Sequence, residues 1–461
     1  MEESIISIEI NGLYGIRDFL IKFDDNKLIL VGQNGSGKTT VARIIYAVLS
    51  CNWDMLRTYP FDKIVINFSN DSIEILSSSI NSIFSTPDIE RFEYYVDSRR
   101  FRRNYEGVIA AILDVKKQFE SDEKKPISYI SRTMRGPIPY EYFSDIIKNQ
   151  NVTLLSQITN RIQERFQSKI LYLPTYRRIE EPLHRIFPEV EKETLEKGRK
   201  RGISERVIEL VEFGMDDVSN LVEKEQNALK SFSQSQQNKL TLGYLGEIVS
   251  KAYDQSTSYK KIRSLSDSEI HHVLSRIDSS ILSDQRKEEL WAILNLVRTE
   301  HKHSYSGQVK IVCHYFMQLL SFDQDIKNAE QRIRTFQDRC NKYLVNNKLE
   351  YNSQEFTCKL LNYVDGSFDS DNEITFQSLS SGEKQIVSLF SHLYLSNEKS
   401  LYVFIDEPEL SLSVEWQRTF LPDIVASPNC RGLFATTHSP FIFDNELEKV
   451  VHGINEFCLK G

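Results

Sequence analysis

Eight consecutive residues, Gly32-Gln33-Asn34-Gly35-Ser36-Gly37-Lys38-Thr39, have the complete spacing of a phosphate-binding loop. An apolar run, Lys27 to Val31, reads as the strand that delivers it. The stretch from Thr39 to about Leu49 reads as the helix that follows. Glycines let backbone N–H groups curl round phosphate oxygens without Cβ obstruction. Lys38 reaches the β- and γ-phosphates, and the Thr39 hydroxyl is placed to ligate Mg²⁺. The positive end of the helix points at the same anion. Gly32, Gln33, Asn34, Gly35, Ser36, Gly37, Lys38, Thr39 and Thr40 form the candidate nucleotide-binding set, with a nucleoside triphosphate as the expected ligand.

A second group of chemically suggestive residues lies near the other end. Leu401 to Ile405 is an apolar run that reads as a buried parallel strand, and it ends in Asp406-Glu407. Asp406 is placed to hold Mg²⁺, and Glu407 to accept a proton from an attacking water. Upstream, Leu379-Ser380-Ser381-Gly382-Glu383 precedes an amphipathic stretch with Ile386, Leu389, Phe390 and Leu393 on one face. Ser380 and Gly382 at a helix start leave backbone donors for a phosphate. Downstream, Gly432 to Thr437 reads as a further strand ending at His438, where a γ-phosphate sensor is expected.

In this order, the four elements resemble the ATP-binding cassette superfamily, specifically its soluble SMC-like and OLD-like branch within the AAA ATPases. Gly32 to Thr39 look like the Walker A loop, and Leu379 to Glu383 like the LSGGQ signature with Ser381 and Glu383 substituted. Asp406 and Glu407 look like the Walker B pair, Ser411-Leu412-Ser413 like the D-loop, and His438 like the switch histidine. The resemblance implies an α/β fold: a P-loop NTPase of the ABC ATPase type with a large inserted helical or coiled-coil region. It implies ATP and Mg²⁺ as cofactors. It also implies a nucleotide site shared between two chains, with Ser380 and Gly382 acting in trans and a homodimer, or a larger homo-oligomer, as the working unit. The expected Q-loop glutamine is missing. Arg177 or Arg178, after the strand-like run Ile170 to Leu173, are its candidate replacements or else surface residues.

Lys38 and Ser380 stand 342 positions apart, so something large is inserted between the halves of the nucleotide site. Ile64, Ile66, Phe68, Ile73 and Ile75 alternate with period two within 52–76, as antiparallel strands of a side sheet do. From about 190 the pattern is helical. Val207, Val211, Val218, Leu221, Val222 and Leu229 keep three-and-four spacing, as do Val312, Phe316, Leu319, Ile326, Ala329, Ile333, Phe336, Cys340 and Tyr343. The second run predicts a helix of about 33 residues and about 50 Å, either an arm or a helical lid. The polar stretch Ser231 to Lys239 reads as an exposed turn or linker. The expected division is an N-terminal ATPase lobe at 1–185, an inserted helical region at 186–350, and a C-terminal lobe at 351–461 with signature, Walker B pair and switch histidine.

With 461 residues, 40% hydrophobic and 26% charged, the chain has room for two or three domains with ordinary cores. No apolar run approaches the length of a membrane span, and the acidic start Met1-Glu2-Glu3 is unlike a signal peptide. Six cysteines without metal-ligand spacing read as reduced thiols, so a cytoplasmic location is expected. A net charge of −8 offers nucleic acid no general attraction. Two basic clusters, Arg99 to Arg103 around Phe101 and Lys197 to Arg201, are local candidates for it or else solvated faces.

Only 23 residues follow His438, too few for the Toprim domain that OLD-type relatives carry there. The size and the run Leu171 to Glu180 resemble the ATPase subunits of two-gene anti-phage defence systems: the PARIS ATPases (AriA), and close behind them the Septu ATPases (PtuA). The resemblance implies a separate effector nuclease, of Toprim or HNH type, and a phage protein as trigger. The alternatives are a RecF- or SMC-like DNA repair ATPase and, least in keeping with the large insertion, a transporter cassette.

Overall fold

The chain enters on an antiparallel pair, β1 (Ile5–Leu13) and β2 (Arg17–Lys22), before β3 (Lys27–Val31) delivers the phosphate-binding loop to α1 (Lys38–Ser50). A short α2 (Trp53–Leu56) then leads to the antiparallel strands β4 (Lys63–Phe68) and β5 (Ser72–Leu76). Ile64, Ile66 and Phe68 point inward at every second position, as do Ile73 and Ile75, which is the alternation expected of a half-buried sheet. Next come α3 (Ser77–Phe84), α4 (Val108–Ser121), α5 (Gln150–Arg165), β6 (Lys169–Leu173) and β7 (Val207–Glu209). The computed structural model describes residues 3–33, 35–84, 108–121, 149–173, 206–210, 215–254, 259–275, 282–300, 305–364 and 367–460. Asn34, Arg177, Arg178, Val211 and both basic clusters lie outside them.

Val207 is not helical. It pairs in parallel with Ile170 as the first residue of β7, where a three-residue strand is too short to display any alternation and takes its order from the neighbouring strand.

The helical region begins with α6 (Asp216–Val249), followed by α7 (Tyr259–Arg263), α8 (Asp267–Ser275), α9 (Asp284–Thr299) and α10 (Gly307–Asn341). The Ser231 to Lys239 stretch lies inside α6 rather than in a turn. It contains neither Gly nor Pro, and its Ser and Gln side chains are mostly exposed, so nothing in it interrupts the helix. α6 and α10 run as an antiparallel pair. Arg332 meets Glu225 at 3.2 Å, while toward the other end His314 meets Glu247 at 2.8 Å. Val218, Val222 and Leu229 are buried on α6, and Ile326, Ile333, Phe336 and Cys340 on α10. The first half of α10 instead joins α7, α8 and α9 in a separate apolar cluster around Ile270, Leu294 and Phe316. β8 (Asn347–Asn352), β9 (Thr357–Val364) and β10 (Ser367–Ile374) complete this region as an antiparallel sheet.

The chain returns through α11 (Ser381–Leu395), β11 (Leu401–Asp406), α12 (Val414–Val425), β12 (Cys430–Thr437), β13 (Val451–Gly453) and β14 (Cys458–Lys460). Two structural units result. One comprises Met1–Gly214, Ser380–Leu389 and Asn397–Gly461, and the other Met215–Leu379 and Phe390–Ser396. The first holds a parallel sheet of order β13-β3-β12-β11-β6-β7 and an antiparallel side sheet of order β14-β2-β1-β4-β5. All six residues of β11 are buried. Each of its large apolar side chains contributes roughly 1.5–3 kcal/mol by leaving water, and Phe404 stacks on Phe434 of β12 at 4.9 Å.

Among the described residues none of the six cysteines forms a disulfide. Cys51, Cys313 and Cys340 are buried, and burial raises the thiols of Cys51 and Cys313 to about 11. Among the described residues no helix is long and apolar enough to cross a membrane.

Candidate nucleotide site

The parallel sheet brings three segments that are distant in sequence to one level. β3 is the neighbour of β12, with Val31 opposite Thr437, and β12 is the neighbour of β11, with Thr436 opposite Asp406. The phosphate-binding loop, His438 and the Asp406-Glu407 pair therefore leave the carboxyl ends of three adjacent strands. Ligands of open α/β sheets bind outside those ends.

The loop after β3 is shaped by Gly35 and Gly37, whose φ angles of 77° and 99° are left-handed and unfavourable for residues with a Cβ. Gly37 caps α1, whose first turn contains no acidic residue, so its positive end is left for an anion. Lys38 is buried, and its ammonium donates to the carbonyls of Gly32 at 2.7 Å and Gln33 at 3.1 Å. Burial lowers its pKa, against the opposing charges of Glu407, Asp406 and Glu409. Thr39 and Thr40 lie in the first turn of α1. Among the described residues, the buried Ser36 hydroxyl has no hydrogen-bond partner. A curled loop with an orphaned hydroxyl, a central ammonium and a helix terminus suits a polyphosphate. Hydroxyl and carboxylate oxygens such as those of Thr39 and Asp406 are of the donor type that Mg²⁺ takes.

Asp406 ends β11, is buried, and accepts a hydrogen bond from the Thr436 hydroxyl. Glu407 turns out of the strand into a left-handed conformation, φ 52° and ψ 57°, while its N–H donates to the Thr436 carbonyl at 3.0 Å. One carboxylate oxygen of Glu407 lies 3.6 Å from Nε2 of His438. The proton acceptor and the sensor expected from sequence therefore face each other.

Ser380, Ser381 and Gly382 stand at the start of α11. The Ser380 N–H and hydroxyl donate to Glu383 at 2.9 Å and 2.7 Å, and the Glu383 N–H returns to the Ser380 hydroxyl at 3.4 Å. This is a capping box, and it explains why a glutamate can stand where the family motif has glutamine. It also corrects one expectation: the Ser380 N–H is engaged within the cap rather than left open. Gly382 packs against Ser411, in the segment expected to be the D-loop, with the Ser411 carbonyl in the path of any added Cβ.

Sequence reasoning assigned no role to Glu409 or Thr437. Glu409 accepts from the Thr437 hydroxyl at 2.8 Å and from the His438 N–H at 2.6 Å. The available signal was the second glutamate of Asp406-Glu407-Pro408-Glu409, two positions beyond the first.

A family model described as AAA ATPase domain, AAA_15, matches residues 4–443. A 76-residue stretch is 33% identical to the energy-coupling factor transporter ATP-binding protein EcfA of Onion yellows phytoplasma (strain OY-M), covering 16% of this chain and 26% of that protein. Among solved structures, the Smc head domain with an extended coiled coil, bound to the C-terminal domain of ScpA, from Pyrococcus furiosus, aligns over 98% of this chain and 93% of its own at 12% identity and a TM-score of 0.32. The Smc head domain with a coiled coil and joint from Pyrococcus yayanosii aligns over 98% and 95%, at 13% identity and a TM-score of 0.30.

Proposed function

The chain belongs to the AAA ATPase domain family, AAA_15, and from that premise we propose that it hydrolyses ATP to control a separate effector nuclease in a two-gene anti-phage defence system of the PARIS type, with the Septu type as its near neighbour. The observation that most supports the ATPase part is the convergence of Lys38, Asp406, Glu407 and His438 at the ends of three adjacent parallel strands. In this reading Gly32 to Thr40 hold the triphosphate and Lys38 engages its terminal oxygens. Glu407 takes the proton of the attacking water, and His438 senses the γ-phosphate. Thr39 and Asp406 would hold Mg²⁺, which would supply positive charge to the phosphate oxygens. Ser380 and Gly382 serve the site of a second copy, so the working unit is a homodimer or a larger homo-oligomer in the cytoplasm. A phage protein is the trigger.

The effector responds because it has different affinities for the ATP-bound and ATP-free forms, a coupling whose usual scale is about 1–3 kcal/mol. The test is to purify the chain with the product of its neighbouring gene, in Glu407→Gln and Lys38→Ala forms. The expected result is copurification that differs between the two forms, with DNA and RNA left intact by this chain alone in Mg²⁺ or Mn²⁺. Equal association in both forms would remove ATP control. Cleavage by the lone chain that depends on its own acidic residues would remove the separate effector.

A further inference from the structure

Two glutamates follow β11, and the geometry gives them different tasks. Glu407 faces His438 Nε2 at 3.6 Å with its side chain. Glu409, two residues on and beyond Pro408, sends its oxygens to the backbone of the same segment: one to the His438 N–H at 2.6 Å, the other to the Thr437 hydroxyl at 2.8 Å. We propose that Glu409 is a positioning residue that acts through His438, fixing the backbone from which the histidine reaches the terminal phosphate. This inference rests on the ATPase reading above and deepens it.

The contact belongs to a larger lattice. Thr437 Oγ1, having donated to Glu409, accepts from the Ser439 N–H at 3.0 Å. The Ser439 hydroxyl donates to Gln417 Oε1 at 2.6 Å, and Gln417 Nε2 donates to the Leu412 carbonyl at 3.0 Å. Three consecutive residues, Thr437, His438 and Ser439, are thereby tied to the segment that runs from Glu409 through the D-loop to α12. His438 itself is exposed, and among the described residues its side chain has only the long contact to Glu407. Its placement thus depends on its backbone, and that backbone donates to a carboxylate. Charge-assisted bonds of this kind are the stronger class. A carboxylate also has an acceptor oxygen for each of the two donors, which an apolar side chain lacks.

Pro408 makes the division of labour possible. It sets φ for the turn Pro408–Ser411 and follows the left-handed Glu407, so successive carboxylates leave the chain in different directions. One turns toward the histidine ring and the other toward the histidine backbone. A γ-phosphate sensor misplaced by about 1 Å is expected to slow turnover up to about 100-fold without weakening nucleotide binding. That separates a positioning role from binding.

The experiment measures steady-state ATPase rates and equilibrium binding of a fluorescent ATP analogue. The set is the wild-type chain, Glu409→Ala, Glu409→Gln, His438→Ala and the Glu409→Ala/His438→Ala double variant. Glu409→Ala is expected to lower kcat about 10- to 100-fold with binding changed less than about threefold. Glu409→Gln, which keeps an acceptor for the His438 N–H, is expected to recover most of that loss. In the His438→Ala background, Glu409→Ala is expected to add less than about a twofold loss, because the residue it acts through is gone. Losses that multiply in the double variant would overturn the proposal. So would a Glu409→Gln protein as inactive as Glu407→Gln, which would make Glu409 a direct proton acceptor. Should Glu409→Ala fail to fold, Thr437→Val and Thr437→Ser provide the same comparison from the other end of the bond. Valine should be slow in a way that His438→Ala absorbs, and serine close to wild type. A wild type without hydrolysis would overturn the ATPase reading itself, whereas an active wild type with multiplying losses would overturn only the role of Glu409.

Discussion

Gly382 lies against the Ser411 carbonyl so closely that a Cβ added to it would stand 2.6 Å from that oxygen. The start of α11 and the turn at Ser411 are thus in close contact, with no room for a side chain between them. Gly382→Ala is expected to displace Ser411–Ser413 and to cost about 1–3 kcal/mol of stability, as overpacking does. Gly243, in α6, has nothing among the described residues within 4 Å of its added Cβ. Gly243→Ala should stabilise by about 0.5–1 kcal/mol through helix propensity. Urea denaturation midpoints measure both changes. A Gly382→Ala midpoint equal to wild type would mean that the contact yields freely.

Lys38 and Glu407 should separate binding from chemistry. Lys38→Ala removes the ammonium at the centre of the loop and is expected to abolish ATP binding. Glu407→Gln should bind ATP normally and turn it over about 10²- to 10⁴-fold more slowly. Isothermal titration and phosphate release measure the two quantities. Equal phosphate release by wild type and Glu407→Gln would exclude Glu407 as the proton acceptor.

Mixing two inactive chains tests whether the site is shared. Lys38→Ala damages one face of a composite site and Ser380→Arg the other. In a mixed dimer one site carries both lesions and its counterpart neither, so about half of the activity of two intact sites should return to that species. No recovery in verified mixed dimers would place signature and loop action within one chain.

The capping box at α11 predicts an order among substitutions at Glu383. Glu383→Gln keeps the acceptor for Ser380 and should change stability by less than about 0.5 kcal/mol, because both residues suit this position. Glu383→Ala leaves the cap half-made and should cost about 1 kcal/mol. Thermal unfolding of the two variants checks the order, and the reverse ranking would contradict the cap.

In the second unit, Ile333 is fully buried on α10. Ile333→Ala is expected to cost about 2–5 kcal/mol and to raise hydrogen exchange along α6 and α10. Unchanged exchange in α6 would show that the two helices do not share this core.

The elements that position the nucleotide site were legible because each imposes a pattern on its own residues. Lys27 to Val31 and Leu401 to Ile405 are continuous apolar runs, as strands covered on both faces must be, and Ile64, Ile66 and Phe68 alternate because one face of β4 is buried. Val207 carries no such mark: its strand is three residues long and is organised by β6. Ser231 to Lys239 has the composition of a linker, but a helix already running on both sides continues through polar residues with adequate propensity. Glu409 stands in the Asp406-Glu407-Pro408-Glu409 run, but its contact was not legible, for a different reason. Its partners, Thr437 and His438, are 28 and 29 positions away, and only the pairing of β11 with β12 brings them together.

The left-handed backbone at Glu407 has a consequence for how this protein can be improved. Such a conformation costs a residue with a Cβ about 1 kcal/mol, and Gly or Asn adopts it more readily. A library of variants selected only for survival at high temperature should therefore drift at position 407 toward those residues, away from the carboxylate. Heat tolerance and turnover would be traded against each other at a single codon, so screens for sturdier forms of this chain need an activity filter from the first round.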